Sequence, residues 1–247
     1  MLNLPKLIGH RGVKNLSPEN TIDSIILAKK LGLDWVEFDV KISKDLIPII
    51  FHDDSLERTT NGNGLPIDYL YKDLKKLDAG VFFYNQSTNI YIPTVEEILL
   101  LCQNKSISLN IELKPNKNFE KENVLSIANI ISNSKFSNQY YFSSFDLDSL
   151  IMMKEILPNA NYGFLVDEFK KNRTLNDIIM IAKKYNFFCC GFNKDIINLD
   201  IIDEITANDL IITVYSEKNL SVNEANILWS RGVKSIFIDD TTEFDFL

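Results

Sequence analysis

Short apolar runs of strand character recur eight times along the chain, at 6–9, 35–40, 107–113, 139–143, 161–166, 187–191, 210–215 and 235–239. Segments of helical character lie between them, at 21–31, 94–103, 121–132, 147–156, 175–185, 201–206 and 222–230, and only a last helix lacks room. Such alternation calls for parallel strands joined by helical crossovers. An open doubly wound sheet and a closed barrel both satisfy it. The 247 residues match the roughly 250 that eight strand-helix units need. We therefore expect an α/β fold spanning 1–247 as one domain, an eight-stranded TIM (β/α)8 barrel. In either architecture ligand chemistry belongs at the carboxyl ends of the strands.

The interval 42–93 breaks the rhythm. Ser43-Lys44-Asp45 leads straight into another apolar run at 48–51, and so few residues cannot hold a parallel crossover, so a hairpin is expected. Asn61-Gly62-Asn63-Gly64 and Asp78-Ala79-Gly80 follow as turn signals. The interval is read as an insertion after the second strand, covering one end of the barrel and shaping the choice of ligand.

Composition narrows the function classes. Twenty-six basic against thirty-four acidic residues give a net charge of −8, which opposes nonspecific binding to nucleic acid or to an anionic membrane. No stretch approaches the roughly 20 apolar residues of a membrane span, and the first residues lack the basic start and long apolar run of a secretory signal. Cys102, Cys189 and Cys190 are odd in number, and the adjacent pair suits an ordinary disulfide poorly. A soluble, cytoplasmic protein with Cys189 and Cys190 in its core is expected. Lysine pairs such as Lys29-Lys30 fall late in expected helices, where they complement the dipole.

The chain holds two histidines, His10 and His52, each directly after an apolar run. One such residue reads most simply as a hydrogen-bonded loop histidine. Two alike, with none elsewhere, point to proton transfer near neutrality. In the second strand the period of two turns Glu37 and Asp39 to one face and Val36, Phe38 and Val40 to the other. Further on, Leu109, Ile111 and Leu113 face the helices while Glu112 and Lys114 face inward. Two strands thus aim three carboxylates at one place, where like charges raise each other's pKa unless a cation compensates. Salt bridges to Arg11 and Lys114 are one solution and a divalent cation is the other. An all-oxygen set suits Mg²⁺ or Ca²⁺, with zinc recruiting a histidine as a further option. Arg11 offers a planar fork to a phosphate and Lys114 a point charge, so phosphodiester hydrolysis has a candidate for every role.

These residues carry a resemblance. His10-Arg11-Gly12, Pro18-Glu19-Asn20-Thr21, Glu37-x-Asp39, His52-Asp53 with Arg58-Thr59-Thr60-Asn61-Gly62, and Glu112-Leu113-Lys114 resemble, in that order, the motifs of the glycerophosphodiester phosphodiesterases. Further echoes at 92–97, 143–145, 214–215 and 232–239 extend the likeness over nearly the full chain. The resemblance implies a barrel with an insertion after the second strand. It implies His10 and His52 as acid-base pair, Glu37, Asp39 and Glu112 as ligands of one divalent metal, and Arg11 and Lys114 as phosphate-binding groups. Tyr215 keeps an aromatic substrate contact, although Ser216-Glu217-Lys218 departs from the family's pattern. Glu19 and Asn20 either brace the first loop or touch substrate.

The implied substrates are small-molecule glycerophosphodiesters, such as glycerophosphocholine or glycerophosphoethanolamine. They are cleaved to sn-glycerol 3-phosphate and an alcohol, by direct water attack or through a cyclic phosphate formed by the glycerol 2-hydroxyl. Two rivals remain: Lys114 as a Schiff-base lysine, and a phosphodiester-binding barrel without turnover.

Overall fold

Nine strands form in a computed structural model that describes residues 2–169 and 173–244. They are β1 (Leu7–Gly9), β2 (Trp35–Ile42), β3 (Pro48–Ile50), β4 (Ser108–Leu113), β5 (Tyr140–Ser144), β6 (Asn161–Val166), β7 (Cys189–Asn193), β8 (Ile211–Tyr215) and β9 (Ser235–Ile238). The pairing order is β1-β9-β8-β7-β6-β5-β4-β2-β3, and β1 also pairs with β2 through Gly9 and Val36. That last pairing closes eight parallel strands into a barrel and excludes the open sheet. Around it run α1 (Ile22–Lys30), α4 (Val95–Lys105), α5 (Glu120–Asn133), α6 (Leu147–Ile156), α7 (Leu175–Lys184), α8 (Leu199–Ala207) and α9 (Val222–Ser230).

Strand parity separates two cores. Val36, Phe38 and Val40 join Leu109, Ile111 and Leu113 in the large apolar layer between strands and helices. Each such fully buried side chain contributes roughly 1.5–3 kcal/mol. The alternate residues point inward, and Ile8, Trp35, Tyr141, Cys189 and Phe237 pack together as a floor inside the barrel. Cys102, Cys189 and Cys190 are free and buried, as expected of core residues. Burial pushes the Cys102 and Cys190 thiols up to about 12. Helix starts are fixed locally: Thr21 accepts from the Ser24 amide to cap α1, and Thr94 with Glu97 forms a capping box on α4.

The expected hairpin is present, with β3 antiparallel to β2 in the register Val40–Ile50, Lys41–Ile49 and Ile42–Pro48. Beyond it come a 3₁₀ turn at Pro66–Asp68, α2 (Tyr71–Leu74) and α3 (Val81–Tyr84). They pack around a small cluster of their own that includes Ile49, Phe51, Leu56, Leu74 and Ile92. Among the described residues no helix is long and apolar enough to cross a membrane.

Candidate active site

The turn after β1 is too tight for side chains at its glycines. A Cβ on Gly9 would lie 2.2 Å from the Gly12 carbonyl oxygen, and Gly12 has φ +85°. Arg11 between them takes the left-handed region at φ 51°, a strained choice that surrounding bonds must hold. They do: the Arg11 amide donates to Glu37 Oε2 at 2.8 Å, and the Arg11 carbonyl accepts from the Asn20 amide at 3.0 Å. His10 is thereby fixed above β1. Its Nδ1–H donates to Asp239 Oδ1 at 2.7 Å, leaving Nε2 4.0 Å from Glu37 Oε2. Burial lowers the imidazole pKa below its usual value against the pull of Asp239.

The carboxylates converge as the strand period requires. Asp39 and Glu112 are direct partners across β2 and β4, and one oxygen each from Glu37, Asp39 and Glu112 lie within 4.8 Å of one another. All three residues are buried. Asp39 is well compensated, with Arg11 Nε at 3.3 Å, Lys114 Nζ at 3.4 Å and the Asn20 amide group donating at 2.9 Å. Although burial alone would raise its pKa, Lys114 and Arg11 hold the Asp39 carboxyl well below the usual range. Glu112 has Lys114 Nζ at 3.1 Å, yet burial and Asp39 leave its pKa raised.

Glu37 is different. Burial, with Asp39 and Glu112 beside it, pushes its pKa well above the ordinary value, and its Oε1 is buried with no hydrogen-bond partner. Salt bridges therefore satisfy part of the cluster and leave one carboxylate oxygen over. A cation in the nest would meet that demand, and three oxygen donors suit a hard ion. The same geometry weighs against the Schiff-base reading. That chemistry needs an amine with a depressed pKa, whereas Asp39 and Glu112 raise that of Lys114 despite its burial.

His52 follows β3 and is anchored the same way as His10, donating from Nδ1 to Asp53 Oδ1 at 2.6 Å. Arg58 grips Asp53 through Nε at 2.5 Å and Nη2 at 2.8 Å, and grips Glu19 through Nη1 and Nη2, both at 2.8 Å. Glu19 also accepts from Arg11 Nη1 at 2.7 Å. Burial would raise the Glu19 pKa, but Arg58 and Arg11 pull it down to about 2. Glu19 and Asn20 are thus braces, one between two arginines and the other on Asp39.

A cavity of about 640 Å³ opens over this centre. Of the residues singled out in the sequence, His10, Arg11, Glu37, His52, Glu112, Lys114 and Tyr215 line it, while Asp39 lies beneath, 1% exposed. The Tyr215 hydroxyl lies 3.0 Å from the Val166 carbonyl oxygen and 3.1 Å from Asp167 Oδ1, two acceptors for its single proton. Of the interval 42–93 only His52 lines the cavity, and the wall opposite is formed at the carboxyl ends of β5 to β8 and just beyond them, by Phe145, Asp167, Asn193, Tyr215 and Glu217 among others. Sequence reasoning assigned no role to Asp239, Asp53 or Arg58. Asp53 and Arg58 stood inside quoted motifs, and Asp239 is 229 positions from its partner.

The fold and the site together define a (β/α)8-barrel enzyme centre in which two anchored imidazoles and two strong cations surround a nest of buried carboxylates. Residues 10–243 match the glycerophosphoryl diester phosphodiesterase family. A glycerophosphodiester phosphodiesterase of Bacillus altitudinis is 32% identical over 240 residues, covering 96% of this chain and 95% of its own length. A second from Bacillus subtilis is 28% identical over 243 residues, covering 93% and 82%. Among solved structures, a phosphodiesterase of Oleispira antarctica in complex with the product sn-glycerol-3-phosphate superposes with a TM-score of 0.88 at 29% identity, covering 96% of this chain and 93% of that one. The chain belongs to the glycerophosphoryl diester phosphodiesterase family and is a phosphoric diester hydrolase.

Proposed function

We propose that the protein hydrolyses glycerophosphodiesters such as glycerophosphocholine and glycerophosphoethanolamine to sn-glycerol 3-phosphate and an alcohol. In this reading His10 and His52 are the acid-base pair, and one divalent cation, Mg²⁺ or Ca²⁺, is held by Glu37, Asp39 and Glu112. The observation that carries it is the matched anchoring of the two imidazoles. Each spends Nδ1 on its own carboxylate, at 2.7 Å and 2.6 Å, and so keeps Nε2 for the cavity. A carboxylate behind an imidazole fixes its tautomer and steadies the imidazolium that forms on proton uptake. The ring that starts neutral accepts the proton of the attacking oxygen, and the ring that starts protonated gives one to the leaving alkoxide. That division serves both water attack and attack by the glycerol 2-hydroxyl.

Arg11 and Lys114 place positive charge on the wall where phosphoryl oxygens would lie. The cation, when bound, supplies further charge neutralisation. The product held by the Oleispira antarctica phosphodiesterase supports sn-glycerol 3-phosphate as the product here. Three buried thiols with no disulfide among them suit a cytoplasmic setting.

The test couples glycerol 3-phosphate release from glycerophosphocholine to its dehydrogenase. His10→Ala and His52→Ala should each lower kcat by on the order of 10²–10⁴-fold, the usual worth of positioned proton transfer. Activity within threefold of the parent in both variants would remove the acid-base assignment. A parent protein that binds the diester without releasing glycerol 3-phosphate would favour the barrel without turnover.

A further inference from the structure

The two imidazoles differ in what stands behind their carboxylates. Behind His52, Asp53 is gripped by Arg58 at 2.5 Å and 2.8 Å. Behind His10, Asp239 is 2% exposed, and its Oδ1 takes the Nδ1–H at 2.7 Å. The other oxygen, Oδ2, lies 3.2 Å from Lys14 Nζ, and among the described residues Lys14 is the one lysine or arginine paired with it. A buried carboxylate needs such compensation. The chain puts Lys14 there for a local reason. Gly12, at φ +85° and with Ser24 where a Cβ would lie, turns the chain back after β1. Ser24 Oγ fixes that turn by accepting from the Val13 amide at 2.8 Å. The Asn15 amide then donates to the Asp239 carbonyl at 3.1 Å, so the backbone beside Lys14 is tied to the residue its ammonium meets. The backbone is thus placed before the ammonium is, which lowers the ordering cost of the pair.

Resting on the diester-hydrolase reading above, we propose that Lys14 is a positioning residue. It holds the Asp239 carboxylate in the plane that presents Oδ1 to His10, and through it aims His10 Nε2 at the reacting oxygen. The Asp239 backbone is already fixed, its amide donating to Asn219 Oδ1 at 2.9 Å and its carbonyl accepting from Asn15. What stays open is rotation of its side chain about Cα–Cβ and Cβ–Cγ. A partner on each carboxylate oxygen, His10 on one and Lys14 on the other, stops that rotation. His10 depends on it because its ring has no second polar anchor. Nε2 is 4.0 Å from Glu37 Oε2, beyond hydrogen-bond reach, and the ring otherwise packs edge-on to Phe237 with centroids 6.4 Å apart. Swinging a reacting group by about an ångström costs on the order of a hundredfold in rate. Lys14 also lines the cavity, so the rival role is an ammonium that touches phosphate. Arg11 and Lys114 pair with carboxylates of the nest, whereas Lys14, among the described residues, has Asp239 as its charged partner. That places it on the support of His10.

The chain's two histidines make the test direct. In protein labelled with ¹⁵N at histidine, each anchored Nδ1–H gives its own proton resonance, and a His52→Gln spectrum assigns the pair. Lys14→Met keeps the length of the side chain and removes its charge. It should shift or broaden the His10 signal and leave that of His52 in place. In the coupled glycerol 3-phosphate assay the same variant should lower kcat about tenfold, with KM within about threefold of the parent, and Lys14→Arg should recover most of the loss. Asp239→Asn should be the more damaging change. Adding Lys14→Met to it should cost nothing further, because the two residues act in series. A KM raised with kcat intact would overturn the proposal and place Lys14 on the substrate. So would losses that multiply in the double variant, or a His10 resonance indifferent to Lys14. A parent protein that turns over no diester would remove the hydrolase reading instead, and the spectra would still decide whether Lys14 holds the ring.

Discussion

Glu19 is the residue at which the supports of the two histidine loops meet. Its carboxylate accepts from Arg11, which follows His10, and from Arg58, which holds the aspartate behind His52. The two guanidinium groups draw its pKa down from an ordinary 4.5 to about 2. A carboxyl that is more acidic in the folded chain binds protons more readily in the unfolded one. The stability it contributes is therefore complete above about pH 4.5 and is lost as pH falls through about 2. Glu19→Gln carries no such dependence. The parent should exceed this variant by on the order of 3 kcal/mol at neutral pH, and the gap should narrow steadily below pH 4.5. Urea unfolding midpoints measured across that range would show it, and a gap that stays constant with pH would contradict the assignment. Asn20 illustrates the opposite limit of sequence reading. Its left-handed φ of 57° and its two hydrogen bonds to Asp39 depend on where β2 lies, so the motif alone left its role open between brace and substrate contact.

At the scale of elements, what could be read from the chain was what depends on local periodicity. The run 161–166 and the helices at 147–156 and 222–230 coincide with β6, α6 and α9, and the hairpin follows from the shortness of Ser43-Lys44-Asp45. Inward and outward faces of β2 and β4 were legible because apolar and acidic residues alternate with period two. The link between the inserted segment and the barrel was not legible, because it runs through side chains. Arg58 in that segment spans Asp53 and Glu19 with paired forks at 2.5–2.8 Å, and no periodicity announces which acids a guanidinium will bridge. The strut makes a sharp prediction for a like-charged replacement. Lysine keeps the charge but presents one compact ammonium, which cannot hold two carboxylates bidentately. Arg58→Lys should lower kcat/KM about ten- to a hundredfold through misplacement of His52 and Arg11, while its thermal midpoint moves by only a few degrees. Kinetics within twofold of the parent would show that charge alone suffices and that the fork geometry is idle.

Over the whole molecule, barrel closure is what turns scattered residues into a site. His10 at the start of the chain meets Asp239 at its end because β1 pairs with β9, and Glu37 meets Glu112 because β2 pairs with β4. The same closure forces three buried carboxylates against one another with cations enough for only part of their charge, and Glu37 Oε1 is the residue of that imbalance. A ligand that binds the folded state alone stabilises it by mass action, about 2.7 kcal/mol at a hundredfold excess over Kd. For a chain of 247 residues this corresponds to a rise in Tm of roughly 5–10 °C. After removal of metal by chelation and dialysis, Mg²⁺ or Ca²⁺ should therefore raise Tm in a saturable way. Glu37→Gln relieves the crowding of negative charge but removes a donor oxygen, so the two effects separate cleanly. The metal-free variant should be at least as stable as the metal-free parent, and it should gain little from added cation. A parent whose Tm ignores both ions, or a variant that responds as fully as the parent, would place the compensating charge on Arg11 and Lys114 and leave the nest without an ion.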